Sequence, residues 1–193
     1  MLENNKKAFS TKTIVQIGLM AALVFVGTMF RIKIPAGIDG TMLHLGNVFC
    51  LLSGLLFGGV PGGLAAGFGS AIFDLTSEYA SEFWITFINK FFMGFVAGLV
   101  AHWGKNGVKN EKLQSLVGAV CGSATYVVLY LCKTIIWQRF VYGVDWNAVW
   151  PVVGVKATTS IVNGVIAVVV SVILALALRP ALRSARLLPP QDT

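Results

Sequence analysis

The chain has 193 residues, of which 56% are hydrophobic and only 12% charged, and its mean hydropathy is +0.77. Soluble domains carry about 25% charged residues, so this composition excludes an ordinary soluble protein and indicates an integral membrane protein. The net charge of +7 does not indicate nucleic-acid binding, because the basic residues fall in short terminal and inter-helix stretches rather than in one patch with interleaved aromatics.

The sequence has no catalytic or metal-binding motif. Cys50, Cys121 and Cys132 lie in apolar segments without C-x-x-C spacing, which predicts buried small side chains and no metal site. The chain lacks the nucleotide-binding pattern G-x-x-x-x-G-K-[ST], as well as H-E-x-x-H and G-x-S-x-G. We therefore expect no enzymatic activity, no ATP hydrolysis by this chain and no cofactor.

The N-terminal part predicts a first membrane helix. Residues 1–12 form a basic segment, and an apolar run from Thr13 to Phe30 follows. The run ends in the sequence RIKIP instead of a small-residue cleavage site, which is unlike a signal peptide. Gly18 and Ala22 lie one turn apart on one face of this helix. Both packing within the bundle and docking of another membrane subunit remain open for that pair.

The central part predicts a glycine-rich helical hairpin. Residues 31–43 predict a polar loop, and two short apolar arms follow at 45–57 and 64–73, hinged at Gly58–Gly63. In lipid an unpaired backbone group is so costly that such a chain stays helical, and small residues let helix backbones approach closely. We expect this hairpin to be the tightly packed centre of the bundle.

The second half predicts three further membrane helices, and these complete an all-α integral membrane protein with six transmembrane helices. The helices are expected at about Trp84–Trp103, Leu113–Trp137 and Pro151–Leu178, with polar loops at 76–83, 104–112 and 138–149. The transmembrane domain then spans residues 13–179. Residues 180–193 form a tail whose last part, from Arg186, is expected to be disordered.

The positive-inside rule predicts the orientation of the six helices. Lys and Arg are concentrated in the N-terminal segment, the 104–112 loop and the C-terminal tail, which all fall on one side of the membrane. Both termini are therefore predicted to be cytoplasmic. Arg31, Lys33 and Arg139 are exceptions on the opposite, outer side.

Polar and aromatic side chains recur at one depth on three of the predicted helices. Ionisable groups at membrane depth usually face the bundle interior or a cavity, and such stripes are typical of a small-molecule pocket. The predicted substrate-binding residues are Asp74, Trp84, Asn89, Lys90, Tyr130, Lys133, Trp137, Lys156 and Asn163. Tyr126 and Thr159 or Ser160 share the helical faces of this set.

Structural roles for these residues remain an alternative. Tryptophans near the outer interface act as anchors, lysines near helix ends extend to the headgroups, and Asp74 could pair with Lys90. His44, next to a loop, is interpreted as a boundary residue rather than a ligand or base.

Five segments of the sequence together resemble a known family. They are LMAALVFVGT at 19–28, KIP at 33–35, HLGN at 44–47, LLFGGVPGGLAAGFGSAIFD at 55–74 and FINKFFMGFVAGL at 87–99. In order and spacing they resemble the riboflavin-type substrate-binding S components of energy-coupling factor (ECF) transporters. The resemblance covers residues 10–103 well and continues more loosely through the last helix, 156–182.

The resemblance implies a substrate-specificity subunit in the plasma membrane. Such a protein binds a vitamin or precursor (riboflavin, pyridoxine or a pyrimidine-like molecule) from outside, between the loop after helix 1 and the outer parts of helices 4 to 6. It delivers the substrate with a membrane T component and two ATPase subunits. Small residues of helix 1 form the docking face for the T component, here Gly18 and Ala22, in a GxxxA pattern where the family usually has AxxxA.

The sequence leaves open the substrate and one alternative class of protein. Three lysines against the single Asp74 favour an electron-rich or anionic substrate, and the aromatic side chains suit a flat heterocycle. The alternative is a membrane protein of another class: a solitary transporter, a small channel or a structural partner subunit. A channel is disfavoured because 165–177 carries hardly any polar residues.

Overall fold

The structure is a computed structural model that describes residues 9–38, 40–103 and 110–188, and these form six α-helices and one β-hairpin. The elements in chain order are α1 (Thr11–Met29), β1 (Arg31–Ile34), β2 (Thr41–His44), α2 (Gly46–Phe57), α3 (Gly59–Leu75), α4 (Phe83–Ala101), α5 (Glu111–Ile136) and α6 (Trp146–Ser184). A 3-10 turn, Ala80–Glu82, precedes α4, and a π-helical turn, Trp137–Val141, follows α5.

Within the described residues, four helical segments are long and apolar enough to cross a membrane. They are Thr11–Met29, Ala80–Ala101, Glu111–Val141 and Trp146–Ser184. At a rise of 1.5 Å per residue, α2 and α3 measure only about 18 and about 25 Å, less than the hydrocarbon core of about 30 Å. The protein is therefore mostly helical and multi-pass, with a short pair of helices inside the bundle.

Close backbone contacts at the centre of the bundle require glycine, which confirms the expected packing of the glycine-rich hairpin. A Cβ added at Gly62 of α3 would lie 2.4 Å from the Cα of Gly54 in α2. A Cβ added at Gly98 of α4 would lie 2.3 Å from the carbonyl carbon of Gly58. Both distances are far below van der Waals contact, so α2, α3 and α4 approach one another through bare backbone.

Helices α3 and α4 also pack through a ladder of phenylalanines on glycines. Three phenylalanines one turn apart on α4 lie against three glycines one turn apart on α3, because residues four apart share a helix face. The pairs are Gly59 with Phe95, Gly63 with Phe91 and Gly67 with Phe87. The rings of Phe91 and Phe95 are stacked, with centroids 5.6 Å apart. This ladder packs α3 against α4 from Gly59 to Gly67, just before the part of α3 that lines the cavity described below.

The predicted hinge Gly58–Gly63 was too long. Only Gly58 interrupts the two helices, with a φ of +87°, and α3 begins at Gly59 rather than at residue 64. Pro61 lies in the first turn of α3, where the backbone N–H that proline lacks would have no helical partner. Proline and glycine therefore do not break the helix at this position.

The prediction of an all-α fold with a loop at 31–43 was wrong for the two ends of that loop. Strands β1 and β2 pair in an antiparallel hairpin in which Arg31 is opposite His44. Gly37 and Gly40 have φ values of +67° and +63°, which glycine adopts without strain, and they allow the chain to reverse. The hairpin pairs the facing backbone groups of its two strands with each other, so fewer polar groups are left unpaired there than in an irregular loop.

The last helix is longer at both ends than predicted. It runs from Trp146 to Ser184 and contains Pro151 and Pro180, so residues 138–149 are not one polar loop. At the far end, Arg179 donates to Ser115 Oγ at 2.8 Å and Arg183 forms an ion pair with Glu111, and both bonds attach α6 to α5. This attachment compensates for the backbone hydrogen bond that is lost at Pro180.

The start of the predicted C-terminal tail is ordered and lies against α1. Lys12 donates to the backbone oxygen of Arg186, and Gln16 Nε2 donates to that of Leu187 at 3.0 Å. The expectation of disorder from Arg186 was therefore wrong for 186–188. The predictions made for 1–8, 104–109 and 189–193 lie outside the described residues.

Candidate substrate-binding site

A cavity of about 80 Å³ lies between the β-hairpin, the end of α3 and the facing turns of α4, α5 and α6. Side chains from seven parts of the chain line it, and almost all of them are polar or aromatic. They are Thr28 of α1; Thr41, Met42 and His44 of β2; Ser70 and Asp74 of α3; Tyr79 and Glu82 before α4; Thr86, Asn89 and Lys90 of α4; Tyr126, Tyr130 and Lys133 of α5; and Ser160 and Asn163 of α6.

Six of the nine predicted site residues lie together in this lining. They are Asp74, Asn89, Lys90, Tyr130, Lys133 and Asn163. The helical period had predicted that Tyr130 and Lys133 share one face of α5 and that Asn163 lies on the polar face of α6. In the tertiary structure these two faces line the same cavity. Tyr126 and Ser160, which share the same faces, also contribute to the lining.

The other three predicted residues lie outside the lining. Trp137 is one turn beyond Lys133 and contacts Trp84, with ring centroids 5.8 Å apart, and Trp84 is 46% exposed. Lys156 is fully buried, and its Nζ lies 5.8 Å from the Tyr130 ring centroid, so it packs against that ring. Periodicity identifies the face of a helix, but it does not indicate where along the helix a cavity ends.

Lys90 is held by a side chain that the sequence did not single out. Its Nζ donates to Asn47 Oδ1 of α2 and lies 3.7 Å from the Tyr126 ring centroid, a cation–π contact. Asp74, 95% buried, shares the cavity with Lys90. The suggestion that Asp74 serves only to pair with Lys90 is therefore incomplete, because Lys90 already has an amide and an aromatic partner.

Lys133 is paired with a carboxylate that the sequence placed in a polar loop. Its Nζ lies 2.6 Å from Glu82 Oε2, and the two side chains are only 6% and 13% exposed. The other carboxylate oxygen of Glu82, Oε1, is buried and has no hydrogen-bond partner among the described residues. Glu82 was missed because an isolated glutamate between two helices has no local feature that predicts a distant lysine as its partner.

The β-hairpin is attached to the helices around the cavity by side-chain hydrogen bonds. Tyr130 Oη donates to Thr41 Oγ1 at 3.2 Å, and the backbone N–H of His44 contacts Asn163 Oδ1 at 3.5 Å. One strand therefore contacts α5 and α6 together. The alternation of R-I-K-I in β1 was the only sequence signal for this element.

Two of the three basic residues that were exceptions to the positive-inside rule, Arg31 and Lys33, form ion pairs at the hairpin. Glu78, in the turn after α3, lies 3.2 Å from Arg31 and 2.7 Å from Lys33 of β1. The hydrogen bond from Lys33, together with the nearby Arg31 charge, lowers the pKa of the Glu78 carboxyl to about 2. These basic residues therefore act as partners of Glu78.

His44 lies in the cavity lining, contrary to its interpretation as a boundary residue. Its ring atom Nδ1 accepts a hydrogen bond from the backbone N–H of Gly46 at 3.1 Å. Burial, with the positive charges of Lys90 and Arg31, lowers the pKa of His44 well below its usual value. The ring is therefore neutral at physiological pH.

The charged side chains that line the cavity balance one another within the part of the chain that the structure describes. Asp74 and Glu82 supply two negative charges, and Lys90 and Lys133 supply two positive charges. The sequence had indicated three lysines and one aspartate in the pocket. The structure gives two lysines and two carboxylates instead, because Glu82 is part of the lining and Lys156 lies outside it.

The bundle and its cavity define a membrane-embedded protein with a polar cavity among its helices. A family model described as the S component of the ECF-type riboflavin transporter matches residues 8–180. The chain belongs to this family of substrate-specificity subunits of ECF importers, located in the plasma membrane. Comparison with curated proteins finds no similar sequence. Family membership decides against the alternative of a channel or a structural subunit.

Proposed function

We propose that this S component binds a vitamin or vitamin-related heterocycle in the cavity between the hairpin and helices α3 to α6. The observation that carries this proposal is the lining itself, where stacked aromatic rings and buried hydrogen-bonding groups meet. The rings of Tyr126 and Tyr130 lie 5.6 Å apart at an angle of 19°, a suitable wall for a flat ring. Asp74, Asn89, Lys90, Lys133 and Asn163 would supply polar contacts.

The ligand is proposed to carry no net charge, in contrast to the anionic substrate that the lysine count favoured. The two lysines of the lining are already balanced by Asp74 and Glu82, so the charge of an anionic ligand would lie close to a carboxylate without a cation to offset it. Such repulsion between like charges is costly in a site of low dielectric. A neutral heterocycle with donors and acceptors on its ring instead meets the buried carboxylate oxygen Glu82 Oε1 without that cost. Riboflavin, pyridoxine and pyrimidine-like molecules all remain within this class.

The ligand is also expected to enlarge the cavity when it binds. A volume of about 80 Å³ holds only a few water molecules, whereas ligand pockets measure about 300–1,000 Å³. The hairpin and the turn that carries Glu78 are the parts without a membrane-spanning helix, so they are the parts that can move outward.

The proposed topology has six transmembrane helices within residues 13–179, with both termini and the tail 180–193 in the cytoplasm. The cavity and the hairpin then face outside. The substrate is delivered inward with a T component, which docks on Gly18 and Ala22, and ATP hydrolysis is carried out by two partner ATPase subunits. Gly18 and Ala22 are exposed, and a Cβ added at Gly18 meets no other atom within 4 Å, so this face of α1 is open.

Mass spectrometry of small molecules released from the purified, detergent-solubilised protein tests this function. One heterocycle at a stoichiometric amount is the expected result, and a flavin would also be yellow and fluorescent. A protein that is empty and whose thermal unfolding shifts with none of riboflavin, pyridoxine or uracil would contradict the proposal. Labelling of single cysteines placed at Ser77 and Ser184 in a variant whose native Cys50, Cys121 and Cys132 are replaced by Ala, from outside intact cells, tests the topology, with only Ser77→Cys expected to react.

A further inference from the structure

Among the residues in the cavity lining, His44 has a hydrogen-bonding state that its own backbone determines. A neutral imidazole has one protonated nitrogen and one acceptor nitrogen. Because Nδ1 accepts the backbone N–H of Gly46 at 3.1 Å, Nδ1 carries no proton, and the ring proton must be on Nε2. Protonation of Nδ1 would place two N–H groups against each other, and Lys90 and Arg31 oppose a positive ring as well.

Among the described residues, no hydrogen-bond partner faces the Nε2–H group. Within residues 9–38, 40–103 and 110–188 the side chain of His44 makes one hydrogen bond, the one to Gly46 through Nδ1. The side chain is only partly buried, and it borders the cavity. A donor of fixed tautomer therefore remains for a molecule that occupies the cavity.

We infer that His44 is a specificity-determining residue of this site, whose neutral ring donates a hydrogen bond from Nε2 to an acceptor atom of the ligand. The acceptor is a carbonyl oxygen or an unprotonated ring nitrogen, since an ammonium or N–H group at that position would meet a donor. This role rests on the proposed function, because it requires a ligand in the cavity. It goes beyond that function by stating which kind of ligand atom faces β2.

Two substitutions separate this role from a structural one. Asn at position 44 can accept the N–H two residues ahead through its side-chain oxygen, as in an Asx turn, but it is too short to replace the Nε2 donor. Gln at position 44 reaches as far as Nε2 and offers an amide donor there, but it gives up the Nδ1 acceptor. His44→Asn therefore keeps the local backbone contact, and His44→Gln keeps the ligand contact.

The test titrates the detergent-solubilised full chain with riboflavin, pyridoxine and uracil, and then uses the probe that binds the wild type most tightly. We expect His44→Asn to weaken binding by roughly tenfold with an unchanged thermal midpoint, and His44→Gln to stay within about threefold of the wild type. Equal affinity in all three proteins would overturn the inference. Losses of affinity that run in parallel with a lower thermal midpoint would also overturn it, because they would indicate a structural role for His44. If none of the three probes binds the wild type, the proposed function fails and the inference fails with it.

A second measurement does not depend on a ligand. The chain has two histidines, so nitrogen NMR of ¹⁵N-histidine-labelled protein, with a His102→Gln variant for assignment, reports the His44 ring alone. We expect one protonated and one unprotonated nitrogen, in the Nε2–H form, at pH 6 and at pH 8. An imidazolium spectrum at pH 6, or the Nδ1–H form, would overturn the inference whether or not a vitamin binds.

Discussion

Lys133 of α5 and Glu82 before α4 form an ion pair 2.6 Å long at the edge of the cavity. The side chains are almost fully buried and 51 positions apart in the sequence. Removing one partner of a buried pair leaves an uncompensated charge, which costs about 3–5 kcal/mol, whereas removing both costs much less. The pair therefore links the stability of the helix packing to the charge balance of the cavity.

The variant Lys133→Met alone is expected to lower the free energy of unfolding by about 3 kcal/mol. The double variant Glu82→Gln with Lys133→Met is expected to recover a large part of that loss, because no lone charge stays buried. Thermal unfolding of the wild type, both single variants and the double variant measures the coupling. Additive effects of the two substitutions would contradict a direct interaction.

Substitution of Gly62 tests the glycine-centred packing of α2, α3 and α4. The Cβ of Gly62→Ala would lie 2.4 Å from Gly54 Cα, a backbone atom that cannot move aside. Overpacking of this kind costs about 1–3 kcal/mol or more, so a clear fall in the thermal midpoint is expected. The matched control is Gly154→Ala in α6, where a Cβ meets no atom within 4 Å. Equal midpoints for the two variants would contradict the packing.

Bulky residues on the open face of α1 test the proposed docking surface. Gly18→Trp and Ala22→Trp add side chains on the exposed face, so thermal stability and ligand binding of the isolated subunit are expected to stay unchanged. Energy-dependent vitamin uptake by cells that contain the T component and both ATPases is expected to fall at least about tenfold, since close helix contacts require small residues. Full uptake by both variants would show that docking occurs elsewhere.

Glu78 gives a prediction for acidic pH. Its folded pKa of about 2 lies below the ordinary value of 4.5, so its ion pairs with Arg31 and Lys33 contribute stability above pH 4.5 that is lost as the pH falls toward 2. A carboxyl ¹³C NMR titration of the protein is expected to show this low midpoint. In Lys33→Met the midpoint is expected to move up toward 4.5, because the main hydrogen bond is removed. An unchanged midpoint would mean that Lys33 does not hold the carboxylate.

Local patterns in the sequence determined the class of protein and much of the fold. Hydropathy and charge are properties of each segment alone, so the membrane location, the helices and the glycine-rich centre could be predicted without tertiary information. The helical period on α5 and α6 also identified Tyr130, Lys133 and Asn163 as residues on cavity-facing sides. Helix ends were less accurate, because Pro61, Pro151 and Pro180 are accommodated by their positions or by contacts with other helices.

The tertiary structure alone decided which charges meet and where the cavity ends. Glu82 became the partner of Lys133, and Asn47 the partner of Lys90, across 51 and 43 positions of sequence. His44 acquired its role from the contact with Gly46 and from the hairpin that carries it to the cavity. An ion pair or a cavity depends on distances between segments that are remote in the chain, and neither composition nor periodicity contains those distances. The sequence therefore predicted a polar pocket, while the charge balance of its lining and the hydrogen bond that determines the His44 tautomer depend on the fold.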